Sequence, residues 1–358
     1  MNFFDRRNKK NRNKIMLAAS VVLIVLLVLL AKFRVINNYT QSVIMFICVN
    51  MIMSSSLNII NGYMGEFSCG HAGFMAVGAY VSSVLSLLFF TDGGIGGKAL
   101  LPPGAAVVFF PVVIIAGGIA AAFAGLIVAI PSFKTRDDYL AIITIAANYI
   151  IMTAVNNIES VGASRGLMGM KNTLFAMNKA VNLPWILIWV LVFTVISVIL
   201  IRHLMGSTLG KGITAIRFDE ISAEIMSVNT NRMKVIAFMF SSGLAGIAGG
   251  LFAHIMGFIN PASFNILKST ESLVMVYLGG MGSLSGSLIA AVLFTFLNEL
   301  LRPLQIFKWV IIPLLLILIM QFRPSGLLGG RELSDIIADF LDKRNKKSVS
   351  ETEGKGAA

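Results

Sequence analysis

Long apolar runs recur from one end of the chain to the other, separated by short stretches that hold most of its charge. An α-helix rises 1.5 Å per residue, so the uncharged run Ile15–Ala31 would cover roughly 26 Å, close to the thickness of a hydrocarbon core. The same pattern predicts spans at Gln41–Asn61, Ala72–Phe90, Gly104–Ile130, Tyr139–Val155, Pro184–Ile201, Val235–Met256, Glu271–Gly282, Ser285–Leu301 and Phe307–Gln321. The expected fold class is an all-α polytopic membrane protein with about ten transmembrane helices, some of them short or broken. The first run is preceded by Arg6, Arg7, Lys9, Lys10, Arg12 and Lys14, as in a signal peptide. Lys32, Phe33 and Arg34 follow it where a small-residue cleavage site would lie, which favours a retained span.

Composition agrees with this reading: 56% of the 358 residues are hydrophobic and 13% charged, which excludes an ordinary soluble domain. The net charge of +12 is not gathered on a basic face with interleaved aromatics, so nucleic acid is not an expected partner. It follows the positive-inside rule instead. Segments 1–14, 131–138, 202–234 and 322–358 hold 20 of the 29 lysines and arginines, and they share one side if the chain runs N-in and C-in. That orientation requires the short eighth segment to count as a crossing. The expected organisation is a basic cytoplasmic N-terminus (1–14), a transmembrane body (15–321) with a cytoplasmic loop at 202–234, and a cytoplasmic tail (322–358). In the tail, Ser334–Leu341 reads as a short interfacial helix, followed by the basic run Lys343–Lys347 and a disordered end. Cys48 and Cys69 suggest neither a disulfide framework nor a metal centre, since Cys69-Gly70-His71 lacks further ligands nearby; no cofactor is expected.

Two apolar stretches are interrupted alike, Gly62-Tyr63-Met64-Gly65-Glu66-Phe67-Ser68 and Gly279-Gly280-Met281-Gly282-Ser283-Leu284-Ser285, both of the form G-x-M-G-x-x-S. Glycine permits a helix break whose freed backbone groups can line a cavity, as in transporters with discontinuous helices. Gly62, Gly65, Glu66, Ser68, Gly279, Gly282 and Ser283 are therefore the candidate translocation pathway, against the plainer reading of tight turns between packed helices. Glu66 is the acid within the first break, and an ionisable group at membrane depth points to function; at the membrane face that argument weakens. Gly246 and Gly250 form a small-xxx-small pair suited to helix packing, and Thr144 and Asn148, one turn apart, suit an interhelical bond or, as the alternative, the lining of an aqueous path.

Within the 202–234 loop, Phe218, Ile221, Ile225 and Val228 fall at helical spacing as one apolar stripe, flanked by Arg217, Asp219, Glu220 and Glu224. Its mixed charge suits a protein groove better than a lipid surface. Gly206-Ser-Thr-Leu-Gly210-Lys211-Gly212 has three residues between its first glycines, not the four of a phosphate loop, and lacks the Ser or Thr after its lysine. ATP binding by this chain is not expected.

Gly210–Asn229 resembles the coupling loop of M-type permease subunits of branched-chain amino acid ABC importers, and Leu57–Phe74 resembles that family's N-terminal signature. Gly243-Leu-Ala-Gly246-Ile-Ala-Gly249, Glu271–Gly286 and Phe322-Arg323-Pro324-Ser-Gly326-Leu-Leu-Gly329 extend the likeness over about residues 40–330. Two features depart from the pattern: Glu66 stands where the family usually has a neutral amide, and Ser164-Arg165-Gly166-Leu167 replaces part of a more glycine-rich motif. The resemblance implies a multi-pass transport subunit of the bacterial cytoplasmic membrane rather than an enzyme. It also implies a heterodimer with a sister permease, two cytoplasmic ATPase subunits and an extracytoplasmic substrate-binding protein. Arg217, Phe218, Asp219, Glu220 and Glu224 would be the ATPase-coupling residues.

The cargo expected from the resemblance is a branched-chain amino acid; another amino acid, an amide or urea are the alternatives. An ion-coupled secondary transporter would need buried ionisable groups, for which Glu66 is the one serious candidate. A membrane enzyme would need a converging constellation that the scattered His71, His203 and His254 do not suggest.

Overall fold

Backbone groups in hydrocarbon must be hydrogen-bonded within the protein, which drives long apolar runs into helix. The computed structural model describes residues 22, 24–33, 36–91, 100–102, 105–133, 139–180, 183–323, 325–330 and 332–333. The basic segment 1–14, the Ser334–Leu341 helix and the run Lys343–Lys347 anticipated from sequence lie outside these residues. The helices are α1 (residues 24–32), α2 (Asn38–Asn58), α3 (His71–Phe90), α4 (Ala106–Ser132), α5 (Tyr139–Asn157) and α6 (Met170–Ala180). They continue with α7 (Trp185–Gly206), α8 (Thr208–Phe218), α9 (Glu220–Ile225), α10 (Thr230–Met256), α11 (Ile266–Gly279), α12 (Leu284–Leu300) and α13 (Lys308–Phe322).

Among the described residues, six segments are long and apolar enough to cross a membrane: Asn38–Met64, His71–Phe90, Ala106–Ser132, Tyr139–Asn157, Trp185–Gly206 and Thr230–Met256. The protein is thus an all-α, multi-pass membrane protein. The most hydrophobic stretches of α2, α3 and α10 are each 67% buried, against 39% for α4 and α7 and 22% for α5, so the first three form the centre and the others its outer shell. Exposed Val108, Phe123, Ile127, Ile150 and Ile196 on that shell are suited to lipid.

Lipid tails are as apolar as the helices, so these helices hold together by close packing and interhelical hydrogen bonds. A Cβ on Gly78 of α3 would lie 2.2 Å from the carbonyl oxygen of Gly246, and one on Gly249 would lie 1.9 Å from that of Met75, so α3 and α10 meet backbone to backbone. Gly246 also faces Ala121 of α4, and Gly250 faces Ser82 of α3. Polar side chains add cross-links. The Ser241 hydroxyl donates to the Ser56 carbonyl at 2.6 Å, His254 Nε2 lies 2.7 Å from Ser86 Oγ, and His71 Nε2 lies 2.8 Å from Ser56 Oγ. His71 and His254 therefore serve as buried packing residues.

A two-residue antiparallel pair, β1 (Leu167–Met168) with β2 (Phe258–Ile259), ties the connection after α5 to the end of α10. Gly166 makes this possible: at φ +81°, a Cβ there would sit 2.4 Å from the Ile259 carbonyl oxygen.

The loop between α7 and α10 corrects the sequence reading. A single stripe through Phe218, Ile221, Ile225 and Val228 was expected, but the chain turns at Asp219 and forms two helices, α8 and α9. Asp219 adopts an extended conformation and caps α9, accepting from the amides of Ile221 (3.0 Å) and Ser222 (3.2 Å) and from the Ser222 hydroxyl (2.5 Å). Val228 is partly buried, while Phe218, Ile221, Ile225 and Met226 are exposed.

Candidate functional site

The two glycine-rich motifs are breaks between helices, and the fold sets them side by side. α2 widens into a π-helix at Ile59–Met64, whose last turn closes on Gly65 at φ +82°; residues 65–70 then run without helix to α3. The second break follows α11, with Gly280 at φ +107° and Gly282 at φ +80°, before Ser283 caps α12 by accepting from the Gly286 amide at 3.1 Å. Asn58 bridges them. Its Oδ1 accepts from the Gly282 amide at 3.0 Å and its Nδ2 donates to the Ser283 carbonyl at 2.9 Å. Gly62 has no room for a side chain, since a Cβ would lie 2.4 Å from the Gly282 nitrogen.

Both breaks lie against the charged loop. Arg217, the penultimate residue of α8, passes over both motif glycines: a Cβ on Gly65 would be 2.9 Å from Arg217 Cγ, and one on Gly282 2.6 Å from Arg217 Nη1. Lys234 Nζ, near the start of α10, pairs with Glu66 at 2.6 Å and with Glu220 at 2.8 Å. One cation thus joins the first break to the first residue of α9. Lys234 is about nine-tenths buried, while Glu66 is 24% exposed and Glu220 46%, so one face of the network reaches solvent. Glu224 accepts from the Thr230 hydroxyl at 2.7 Å, closing α9 onto α10. α8 is seated by buried Ile213 and Ile216, one turn apart. Bonds from the Ser222 hydroxyl and amide hold the Asp219 carboxyl below the usual carboxylate range, so its cap weakens only as pH falls through that depressed value.

The remaining candidates are placed as follows. Gly279 packs against Gly286 across the second break, where a Cβ would lie 2.4 Å from the Gly286 carbonyl oxygen. Ser68 is buried; its amide and carbonyl bond to the Asn61 side chain, and its hydroxyl has no partner among the described residues. Thr144 Oγ1 accepts from the Cys69 amide at 3.2 Å and Asn148 faces Gly73, so α5 braces the segment between the first break and α3.

Three contributors were not singled out from sequence: Lys234, Asn58 and Glu332. Asn58 lies in an apolar helix, and its partners are 224 and 225 residues away. Glu332 accepts from the amides of Leu284 (2.8 Å) and Ser285 (3.2 Å), from the Ser285 hydroxyl (2.5 Å) and from the Tyr63 hydroxyl (3.1 Å). It satisfies orphan donors of α12, and a carboxylate suits the positive end of a helix. The one available signal is general: a helix start needs acceptors, and nothing local names this acid.

Residues 39–320 match the family model described as the branched-chain amino acid transport system / permease component. The chain belongs to this family. LivM, the high-affinity branched-chain amino acid transport system permease protein of Escherichia coli (strain K12), is 30% identical over 331 residues, covering 86% of this chain and 74% of that protein. LivM of Salmonella typhimurium is 30% identical over 304 residues, covering 78% of this chain and 68% of that protein. LivH of Escherichia coli (strain K12) is 22% identical over 296 residues, covering 80% and 92%. No solved structure matches the chain. Family membership bears on the junction, because the matched region contains both breaks, the charged loop and Lys234.

Proposed function

We propose that this chain is one of two membrane-spanning subunits of an ATP-binding cassette importer for branched-chain amino acids, and that the junction of its charged loop with its two helix breaks carries motion between ATPase and pathway. It works with a sister permease, two cytoplasmic ATPase subunits and an extracytoplasmic binding protein, in the cytoplasmic membrane of a bacterium. The observation that carries the reading is the contact of Arg217 with both Gly65 and Gly282. A rigid element fixed to two breaks at once can shift both together when a partner pushes it. Gly62, Gly65, Glu66, Ser68, Gly279, Gly282 and Ser283 then form the inner mouth of the pathway rather than its midplane. Glu66 acts in a cytoplasm-facing ion pair, which disfavours ion-coupled transport through it.

Exposed Phe218, Ile221, Ile225 and Met226 make an apolar patch rimmed by Asp219, Glu220 and Glu224, the composition of a protein-docking surface. Charges placed to meet a partner's opposite sign steer docking, and like charges across an interface cost several kcal/mol. Asp219→Lys with Glu220→Lys should reduce ATPase co-purification at least about tenfold and uncouple hydrolysis from uptake. Asp219→Asn keeps a capping oxygen and separates loss of charge from loss of the α9 cap. Wild-type co-purification and stimulated hydrolysis in a normally inserted double variant would remove this loop from the coupling path.

The proposed arrangement has about ten crossings, N-in and C-in, with residues 15–321 in the membrane body and 322–358 as a cytoplasmic tail. The sharing of one junction by the 202–234 loop and residues 327–333 supports placing both on one side: the Leu327 and Leu328 amides donate to the Leu278 and Gly279 carbonyls. A cysteine at Ser164, in a chain with Cys48 and Cys69 replaced, should react with an impermeant thiol reagent added to intact cells. Reaction at Asp219→Cys in the same assay would reverse the assignment.

A further inference from the structure

We infer that a cavity at the end of the helices remote from the junction is a transit site for a zwitterionic aliphatic amino acid. This rests on the amino acid importer reading above. The cavity holds about 220 Å³ between α2, α10, α11 and α12. Along α10 alone, Lys234 at the junction and Phe252 at the cavity are separated by roughly 27 Å of helix. A water occupies about 30 Å³, so the space matches roughly seven waters, and it falls below the 300 Å³ or more of drug-sized sites. That is room for a small amino acid.

Its walls divide by chemistry. Phe46, Val49, Phe252 and Met256 form an apolar side, with the Phe46 and Phe252 rings 6.1 Å apart. On α11, Lys268 and Glu271, one turn apart, pair at 2.8 Å and are each only about a fifth to a quarter exposed. Lys268 also lies 5.9 Å from the Phe252 ring centre, so charge and apolar wall meet at one corner. Asn50 and Thr295, hydrogen-bonded at 2.9 Å, supply neutral polar groups. Glu299 at the rim is held by Arg302 at 3.1 Å and by the Tyr39 hydroxyl, leaving Lys268 and Glu271 as the adaptable pair.

An α-amino acid carries the same two charges as that pair. Entering the cavity, it exchanges one internal ion pair for two: its carboxylate against Lys268 and its ammonium against Glu271, with the aliphatic side chain on Val49 and the aromatic rings. Net charge in the site stays unchanged, which limits the desolvation cost. Ligands lacking either charge leave one partner unmatched.

The test uses the assembled complex with Cys48→Ser, Cys69→Ser and Asn298→Cys, the last on the cavity wall. Saturating leucine should slow alkylation of the introduced cysteine at least about tenfold, while isovaleric acid and isoamylamine, each lacking one charge, should protect far less. Lys268→Met should raise the half-protecting leucine concentration about tenfold or more, the factor for losing one charge-assisted bond. If Asn298→Cys does not assemble, Thr295→Cys offers a second label on the same wall. Unchanged alkylation with leucine, equal protection by all three compounds, or an unshifted concentration in Lys268→Met each overturns the site. Leucine uptake by the unsubstituted complex is measured in parallel. Uptake without protection discards the cavity alone, whereas absent uptake discards the importer reading beneath it.

Discussion

Gly282→Leu is expected to abolish amino acid uptake while leaving membrane insertion intact, and Gly65→Leu to do the same. Each glycine sits in the left-handed region, at φ +80° and +82°, where an L-residue costs about 1–2 kcal/mol. Each also lies beneath Arg217, with Cβ positions 2.6 Å from Nη1 and 2.9 Å from Cγ. An alanine could be accommodated by movement of a flexible arginine, but the further carbons of leucine must displace the guanidinium and part α8 from the breaks. Strain and displacement together exceed about 3 kcal/mol, a factor of more than about 100 against the closed junction. Gly65→Asn, which tolerates left-handed backbone, should retain part of the activity. The measurement is leucine uptake in proteoliposomes at matched protein content. Uptake near wild type in both leucine variants would reduce the breaks to ordinary turns.

The second large effect concerns stability. Gly249→Ala and Gly78→Ala each place a methyl group within 2.2 Å of backbone oxygen on the neighbouring helix, where no rotamer change gives relief. α3 and α10 must separate, and with them the packing against α4 through Gly246 and Ala121. Overpacking of this kind costs about 1–3 kcal/mol and more where both partners are backbone. The melting temperature in detergent should fall by roughly 5 °C or more, or the protein should fail to accumulate. Gly206→Ala is the matched control, since nothing lies within 4 Å of its Cβ position. Equal melting temperatures for all three variants would show that the close approach is not needed.

Most of the helical framework was legible because its signal is local. The apolar run read as Ala72–Phe90 is the helix His71–Phe90, and Gly104–Ile130 is Ala106–Ser132. Among the described residues, length and hydropathy alone support six spans; α11 and α12, at 14 and 17 residues, are shorter than any of these. The break at Asp219 was locally legible too: an Asp followed by Glu before an apolar residue is a helix-start signal, and the apolar spacing across it masked this. Convergence of the two motifs was not legible. The repeated G-x-M-G-x-x-S pattern marks two breaks, but their contact depends on Asn58 reaching Gly282, and long-range pairing leaves no periodic trace in sequence. Lys234 shows the same limit, since its two carboxylates come from the first break and from the start of α9, 168 and 14 residues away.

The acceptor for the first turn of α12 has a consequence for the order in which the protein is finished. Glu332 is synthesised 48 residues after Leu284 and 47 after Ser285, whose amides it receives. At about 5–20 residues per second, that interval is roughly 2–10 s of translation. During it, α12 has its own Ser283 cap but not the carboxylate that completes its start, and Tyr63 in the first break waits for the same oxygen. Asn58 can join the two breaks as soon as Gly282 and Ser283 are made, whereas the bond from Tyr63 to the α12 start waits for Glu332, so the junction takes its final form only after α13 has been synthesised.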